Sequence, residues 1–479
     1  MRRHAKIKLP APPEHKVGEF CIYYQPNTEV CFPVRMHNNC FCNEYISLRN
    51  RVLMEVPRCT KTNYNQCMRI AKAIADWIPE TTVMDGEWTE VYTGRKRNNY
   101  LRARDSFAWK PLCRQDGNLK SFVKAEKIQY DWKDPRMIQA RSTRYNYALG
   151  NYLKPIEHAL YNIKGSRGLQ RWLPSGRLIA KGLCQRRRAY LIRDKMKLFH
   201  NTTVYSLDAS RFDAHVTDML NVEHTIYKRY WRSPELQRLL DWQYHNKGYT
   251  AHGIKYKMRG GRCSGDMNTA LGNCLIAIIV LASVMKNMKI KKWNCLCDGD
   301  DVLLFVPGDT SLDGISEQYL AHGFELKLEN KAVELTQVRF CQSYPIHTAD
   351  GLKMVQSTDR VLSRALVGSK HWSCPKFVPK YLSLIGDCEL ALAMGVPVHQ
   401  AFALMVRSWG HGRPKHEISS GRAMKAMREI KSHGGWIHPF RITPQARADF
   451  EDAMGISVYE QIALERAFEA MTVAKPHGA

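Results

Sequence analysis

None of the 15 cysteines has a neighbour at the Cys-x-x-Cys spacing of zinc ribbons and fingers. The nearest pairs are Cys40/Cys42 and Cys295/Cys297, so a thiolate zinc module is excluded. The first residues, Met-Arg-Arg-His-Ala-Lys-Ile-Lys-Leu-Pro, lack the apolar core of a secretory leader. With an odd cysteine count, that points to reduced thiols in a cytosolic compartment. The longest apolar stretch, from about 270 to 285, falls short of the roughly 18 residues of a membrane span. It carries Asn273 and reads as a buried helix, so work at a membrane would need an anchor from another protein or a surface patch. Internal repeats and low-complexity segments are also missing. Negative charge is scarce: 45 Asp and Glu stand against 72 Lys and Arg, a formal net charge of +27. Such an excess fits a polyanionic partner first and a membrane surface second. With 44% hydrophobic and 10% aromatic residues the chain is folded, not disordered, and 479 residues imply two or three subdomains.

What the chain does have is acid placed on turns. Asp298-Gly299-Asp300-Asp301 lies between Trp293–Cys297 and Val302–Val306. This reads as strand, tight turn, strand, with carboxylates at the tip of a hairpin. Upstream, Asp208 ends the strand-like run Thr203–Leu207, and Asp213 follows five residues on. Two carboxylate pairs of this kind suit two-metal phosphoryl transfer. Magnesium or manganese would be the ions, two of them, since hard cations take oxygen ligands and keep several waters. Asp208 and Asp300 are the expected direct ligands, with Asp301 auxiliary.

Between these pairs stands Ser264-Gly-Asp-Met-Asn-Thr-Ala-Leu-Gly-Asn273, a Gly-rich loop leading into a helix. Thr269 and Asn273 are four apart and share a helical face. Polar groups on an otherwise apolar helix are costly unless they meet a polar partner. One reading gives Ser264, Thr269 and Asn273, with Asp213, to a ribose 2′-hydroxyl. The other makes Ser264 a helix N-cap and Asn273 part of a satisfied core network. Basic clusters interleaved with Tyr100, Phe107, Trp109, Tyr130, Trp132, Tyr145 and Tyr147 cover about 95–188, a mixture suited to phosphates and stacked bases. After about 355 the chain reads as helical. Thr443-Pro444 starts one helix that should stop near Gly455, and Ser457…Glu460 forms a capping box for the last.

The order Asp-x4-Asp, Ser-Gly-x3-Thr-x3-Asn, Gly-Asp-Asp resembles motifs A, B and C of viral RNA-dependent RNA polymerases. Leu207-Asp-Ala-Ser-Arg-Phe-Asp-Ala-His-Val216, the 264–273 string and Cys297-Asp-Gly-Asp-Asp301 closely resemble the tombusvirus- and carmovirus-like members. Pro135-Arg-Met-Ile-Gln-Ala-Arg141 resembles their basic motif F. The resemblance implies that Arg136 and Arg141, with Lys124 and Lys127, neutralise an incoming triphosphate. It implies that Gly265 belongs to the ribose-binding loop with Ser264. Phe340-Cys-Gln342 resembles motif E, and motif D should supply a lysine acid for the leaving pyrophosphate, Lys327 being favoured over Lys331.

The implied fold is α+β, a right-hand polymerase: fingers from 1–200, a palm of antiparallel sheet and helices from 201–355, with 230–260 returning to the fingers, and a mainly helical thumb from 356–479. The implied activity is copying a positive-strand RNA genome from ribonucleoside triphosphates. The implied partners are template and nascent RNA and a membrane-anchored viral replication protein, at replication complexes in the host cytoplasm. Two other readings compete: a reverse transcriptase or other palm polymerase, and a non-catalytic RNA-binding protein.

Overall fold

The computed structural model describes residues 5–14, 20–129, 133–368, 372, 374–412 and 421–473; Tyr130 and Trp132 lie outside them. Its architecture is mixed α/β. The central sheet has four antiparallel strands in the order Asn294–Asp298, Asp301–Pro307, Thr202–Ala209, Leu326–Ala332. Strands Asn294–Asp298 and Asp301–Pro307 are buried on both faces, which is why they read as continuous hydrophobic runs. Cys295, Cys297, Val302, Leu304 and Val306 face one core, while Leu296, Leu303 and Phe305 face the other, the two-residue period of a pleated strand.

The first core is built on helix Thr269–Asn287, in which every residue from Leu271 to Met285 is buried. The reading of this run as a buried helix holds. Its length does not: at 19 residues it is long and apolar enough to cross a membrane by length and composition alone. The polar ends, Thr269 and Asn287, extend the helix beyond the apolar run.

A second sheet runs Lys6–Lys8, Lys255–Arg259, His245–Thr250, Leu119–Val123, Met137–Ala140. Its pairings are antiparallel except that of Leu119–Val123 with His245–Thr250. Thus the stretch between the two acidic motifs joins the basic region in sequence 119–140. Beyond 355 the chain is largely helical, as its periodicity implies. The helices are Val378–Ala393, His399–Trp409, Gly421–Ser432, Pro444–Met454 and Val458–Val473, and all but Gly421–Ser432 contribute to a core around Phe402, Phe450 and Phe468. Thr443 accepts the Ala446 N–H, Gly455 closes the helix at φ +68, and Ser457 and Glu460 cap reciprocally.

Candidate active site

The acidic hairpin forms as its sequence dictates. Asp298 and Asp301 are cross-strand partners, leaving Gly299 and Asp300 as a two-residue loop. Gly299 sits at φ +80 and Asp300 is not left-handed, the type II′ requirement of glycine at the first loop position. The Gly299 N–H also donates to Cys274 Sγ at 3.0 Å, tying the turn to the long helix. On the other side, Asp301 pairs with Asp208 and Asp208 with Lys327. Asp298, Asp301, Asp208 and Lys327 therefore form one lateral row across all four strands, neighbours about 5 Å apart at Cβ.

The row is electrostatically uneven. Asp208 is raised above the usual carboxylate range by burial first, then by Glu329 and Asp300; Lys327 and Lys133 oppose. Asp301 keeps exposed surface, but the protein crowded around it, then the charge of Asp300, push its pKa up to about 6. Asp298 goes the other way. Burial works to raise it, but Arg188, at 2.5 Å, and Lys181 outweigh burial and hold it low.

The second group comes from the loop and first turn of helix Thr269–Asn287. Asn273 Nδ2 donates to Asp213 Oδ1 at 2.9 Å, and Arg262 Nε donates to Asn273 Oδ1 at 2.8 Å. Arg262 is fully buried against Glu223, which also accepts from Tyr227 at 2.9 Å and Asn268 at 2.7 Å. Burial, and then Asp300 against the Asn273 bond, leaves Asp213 raised. Thr269 Oγ1 donates to Cys263 O at 2.8 Å, and Ser264 Oγ accepts the Gln139 N–H at 3.2 Å. Both hydroxyls therefore bind the loop together while lining the cavity. Ser264 is no cap for this helix; that position falls to Asn268. Gly265 is required by contact: a Cβ there would lie 2.7 Å from both Ala140 Cα and Gln139 O.

These residues meet in one cavity of about 670 Å³, lined by Asp208, Asp213, Asp300, Ser264, Thr269 and Asn273, with Lys124, Arg136, Arg51, Arg211, Lys181 and Arg262 as its cations. That volume suits a nucleotide-sized ligand. Two expected triphosphate ligands are not brought into it. Arg141 is wholly buried, paired with Asp266 at 2.6 Å and donating to Gly117 O and to Asn246 Oδ1 at 2.6 Å; its donors latch the 264–269 loop to the second sheet. Lys127 lies in a different cavity, its Nζ on the Arg364 carbonyl. Lysine at 331 is also set apart from 327, opposite Tyr205 instead of Asp208.

The arrangement fits a divalent ion in donor chemistry: oxygen ligands only, with the carboxylates of Asp208 and Asp300 lining one cavity and Asp208 raised by burial first and then by the neighbouring acids Glu329 and Asp300. Among the described residues no three His, Cys, Asp or Glu side chains are gathered closely enough to hold an ion by themselves. That accords with a hard cation that completes its shell from substrate oxygens and water.

Sequence reasoning missed Asp298 as a clamped group, Lys181, and the Arg262–Glu223 pair. Arg188 was visible as one of three consecutive arginines, and Arg262 as the end of a Gly-Gly turn, but burial decides their roles and leaves no mark at single positions.

The class is defined by an antiparallel acidic hairpin beside a helix-borne polar loop, walled by cations. The family described as viral RNA dependent RNA polymerase matches residues 18–475, and the chain belongs to it. It is 35% identical over 408 residues to the RNA-directed RNA polymerase of Turnip crinkle virus, covering 81% of this chain and 50% of that one. For Melon necrotic spot virus the figures are 33%, 82% and 50%. For Carnation mottle virus they are 30% over 478 residues, 94% and 60%. The chain thus spans about half the length of the curated relatives it matches, and the resemblance to tombusvirus- and carmovirus-like polymerases is borne out.

Proposed function

We propose that the chain is the polymerising part of an RNA-directed RNA polymerase that copies a viral positive-strand RNA from ribonucleoside triphosphates. The observation that carries this is the meeting of Asp208, Asp213, Asp300 and Asn273 with Lys124 and Arg136 in one cavity. In this reading the second sheet and surrounding residues 1–200 are fingers, joined by 230–260. Residues 201–355 are the palm and the helical remainder is the thumb. Template and product RNA, and a membrane-anchored viral replication protein that brings the chain to replication complexes in the host cytoplasm, are the proposed partners.

Asp208 and Asp300, with Asp301 beside them, would hold two magnesium or manganese ions. Such ions would lower the pKa of the attacking 3′-hydroxyl and offset charge on the triphosphate. The chain's own residues do the rest. Arg136 and Lys124 face the triphosphate. Asp213, held by one Asn273 hydrogen bond, keeps its second oxygen for a ribose 2′-hydroxyl, while Arg262 and Glu223 fix Asn273 in that orientation. Lys327, the cross-strand partner of Asp208, would give a proton to departing pyrophosphate.

The test is incorporation of labelled ribonucleotides on a short RNA template with Mg²⁺, beside Asp300→Asn. Wild type should give template-length product; the variant should give none while retaining RNA affinity, because its carboxylate is a metal ligand and no phosphate contact. Equal product from both would overturn the assignment of Asp300.

A further inference from the structure

Strand Asn294–Asp298 is the outer strand of the central sheet on the side of the acidic turn, and one stretch of chain holds it at both ends. At its start, the Asn294 side chain accepts from Lys195 Nζ at 2.5 Å and donates to Ser175 O at 3.0 Å. At its end, the Cys297 N–H donates to Leu178 O at 2.9 Å and Cys297 O accepts the Ala180 N–H at 2.8 Å. Ile179 thus lies in parallel register with Cys297. That path delivers two cations to the Asp298 carboxylate: Lys181, and Arg188 from the first turn of helix Gln185–Met196. Lys181 pairs with Oδ1, and Arg188 with Oδ2 at 2.5 Å. The second pair is deeply buried, with side chains 7% and 10% exposed. Arg188 also donates to Leu183 O at 3.3 Å, and Lys425 of helix Gly421–Ser432 lines the same small cavity as Arg188. Among the described residues, Asp208, Asp300 and Asp301 have no such ion pair.

We propose that Lys181 and Arg188 are positioning residues that bind Asp298 and so keep it from the ions, leaving Asp208, Asp300 and Asp301 as the acids open to them. The inference rests on the reading of this row as a metal site and divides its four carboxylates by role. Like charges directly opposite on paired strands repel, and Asp298 and Asp301 are such partners. An unpaired Asp298 would push Asp301 aside or draw an ion to the wrong end of the row. Paired, it becomes part of the frame, and the turn that carries Asp300 is fixed at its stem. The pairing works in the other direction too. Lys181 lines the catalytic cavity together with Asp300. Without Asp298 to hold it, its ammonium competes with a metal ion for the remaining acids.

The test is binding of Mn²⁺ to the whole chain without nucleotide or template, read as loss of the free-ion electron paramagnetic resonance signal. Asp298→Asn leaves Lys181 unpaired beside the row, so Mn²⁺ should bind roughly tenfold more weakly, the lower end for losing a group that orients metal ligands. Lys181→Met removes the competitor and should bind Mn²⁺ no more weakly than wild type. The double variant Lys181→Met/Asp298→Asn should regain most of the lost affinity. In template-directed incorporation, the Mg²⁺ concentration for half-maximal rate should rise by about the same factor in Asp298→Asn and fall back in the double variant, with the rate recovered at saturating Mg²⁺. Thermal unfolding is run on every variant. If Asp298→Asn and the double variant lose affinity equally, Asp298 is itself a ligand and the proposal fails. It fails also if folded Asp298→Asn binds Mn²⁺ as wild type does, or if affinity falls in all variants in step with melting temperature. Wild type that binds Mn²⁺ but incorporates nothing would overturn the polymerase reading alone, since the binding comparison still decides the role of the clamp. Wild type that binds no Mn²⁺ overturns both.

Discussion

Three carboxylates in one row give the site a measurable pH signature. Asp301 titrates near 6 in the fold against about 4 in an unfolded chain, so the folded state binds that proton more tightly. Its contribution therefore favours folding fully below about pH 4 and is lost as pH rises through about 6. Removing the charge should help exactly where the carboxylate is ionised. Asp301→Asn without metal should melt at a higher temperature than wild type at pH 7.5 and at the same temperature at pH 4. Magnesium should raise the wild-type melting temperature at pH 7.5, with a smaller rise at pH 5.5; a rise independent of pH would mean that the ion does not bind this row. Nearby, the single bond between Asn273 and Asp213 predicts how ribose is chosen. A site that offers a buried acceptor to a hydroxyl rejects the deoxy analogue through the unpaired group. Asn273→Ala frees Asp213 to turn away, so preference for ribo- over deoxyribonucleotides in kcat/KM should fall roughly tenfold or more, the worth of one hydrogen bond to a charged group. Unaltered preference would place ribose recognition elsewhere.

At the scale of elements, two glycines separate backbone freedom from close approach. At Gly299 a Cβ would meet nothing within 4 Å, so only φ +80 resists a side chain, a cost of about 1–2 kcal/mol. At Gly265 the backbone of Met137–Ala140 stands in the way, and overpacking of that kind costs about 1–3 kcal/mol. Gly265→Ala should lower the melting temperature more than Gly299→Ala, whereas Gly299→Ala should lose incorporation activity out of proportion to its smaller loss of stability, because Asp300 moves with the turn. Thermal unfolding and incorporation assays on the two variants check both halves. The same contrast explains what the sequence makes legible. The hairpin, the loop and the strand ending in Asp208 are local patterns of period and turn chemistry, and they read correctly. Arg141 and Lys127 belong to the same basic string as Arg136, yet one is enclosed by Asp266 and Asn246 and another faces a separate cavity. Side-chain direction across a strand and burial by segments 100 residues away carry no local signature. The clamp of Arg188 and Lys181 on Asp298 is hidden for the same reason.

Across the whole molecule, the amino-terminal residues that show no clear pattern act as a strap. Cys21–Ile22 pairs with Val367–Gly368 and Val34–Met36 with Lys127–Gln129, so a short segment joins the helical C-terminal region to the basic strand between the two cavities. Tyr24 packs edge-on to Trp409, 5.2 Å between centroids, and its hydroxyl reaches Met471 Sδ at 3.2 Å. The strap's anchor is Ser363: its Oγ accepts the Phe32 N–H at 2.8 Å and its carbonyl accepts from Gln25 at 2.8 Å. Ser363 is itself fully buried, so Ser363→Ala removes one hydrogen bond that ties the strap to it, at a cost of about 0.5–1.5 kcal/mol, while removing no charge and opening little space. If the strap only decorates the surface, that loss should appear as local fraying, with the melting temperature of the whole chain unchanged. If it joins the two regions, the cost falls on their contact. Ser363→Ala should then lower the melting temperature, and hydrogen exchange should rise together in residues 21–36 and in helices Val378–Ala393 and His399–Trp409. Exchange that rises in 21–36 alone would show that the C-terminal helices hold without it.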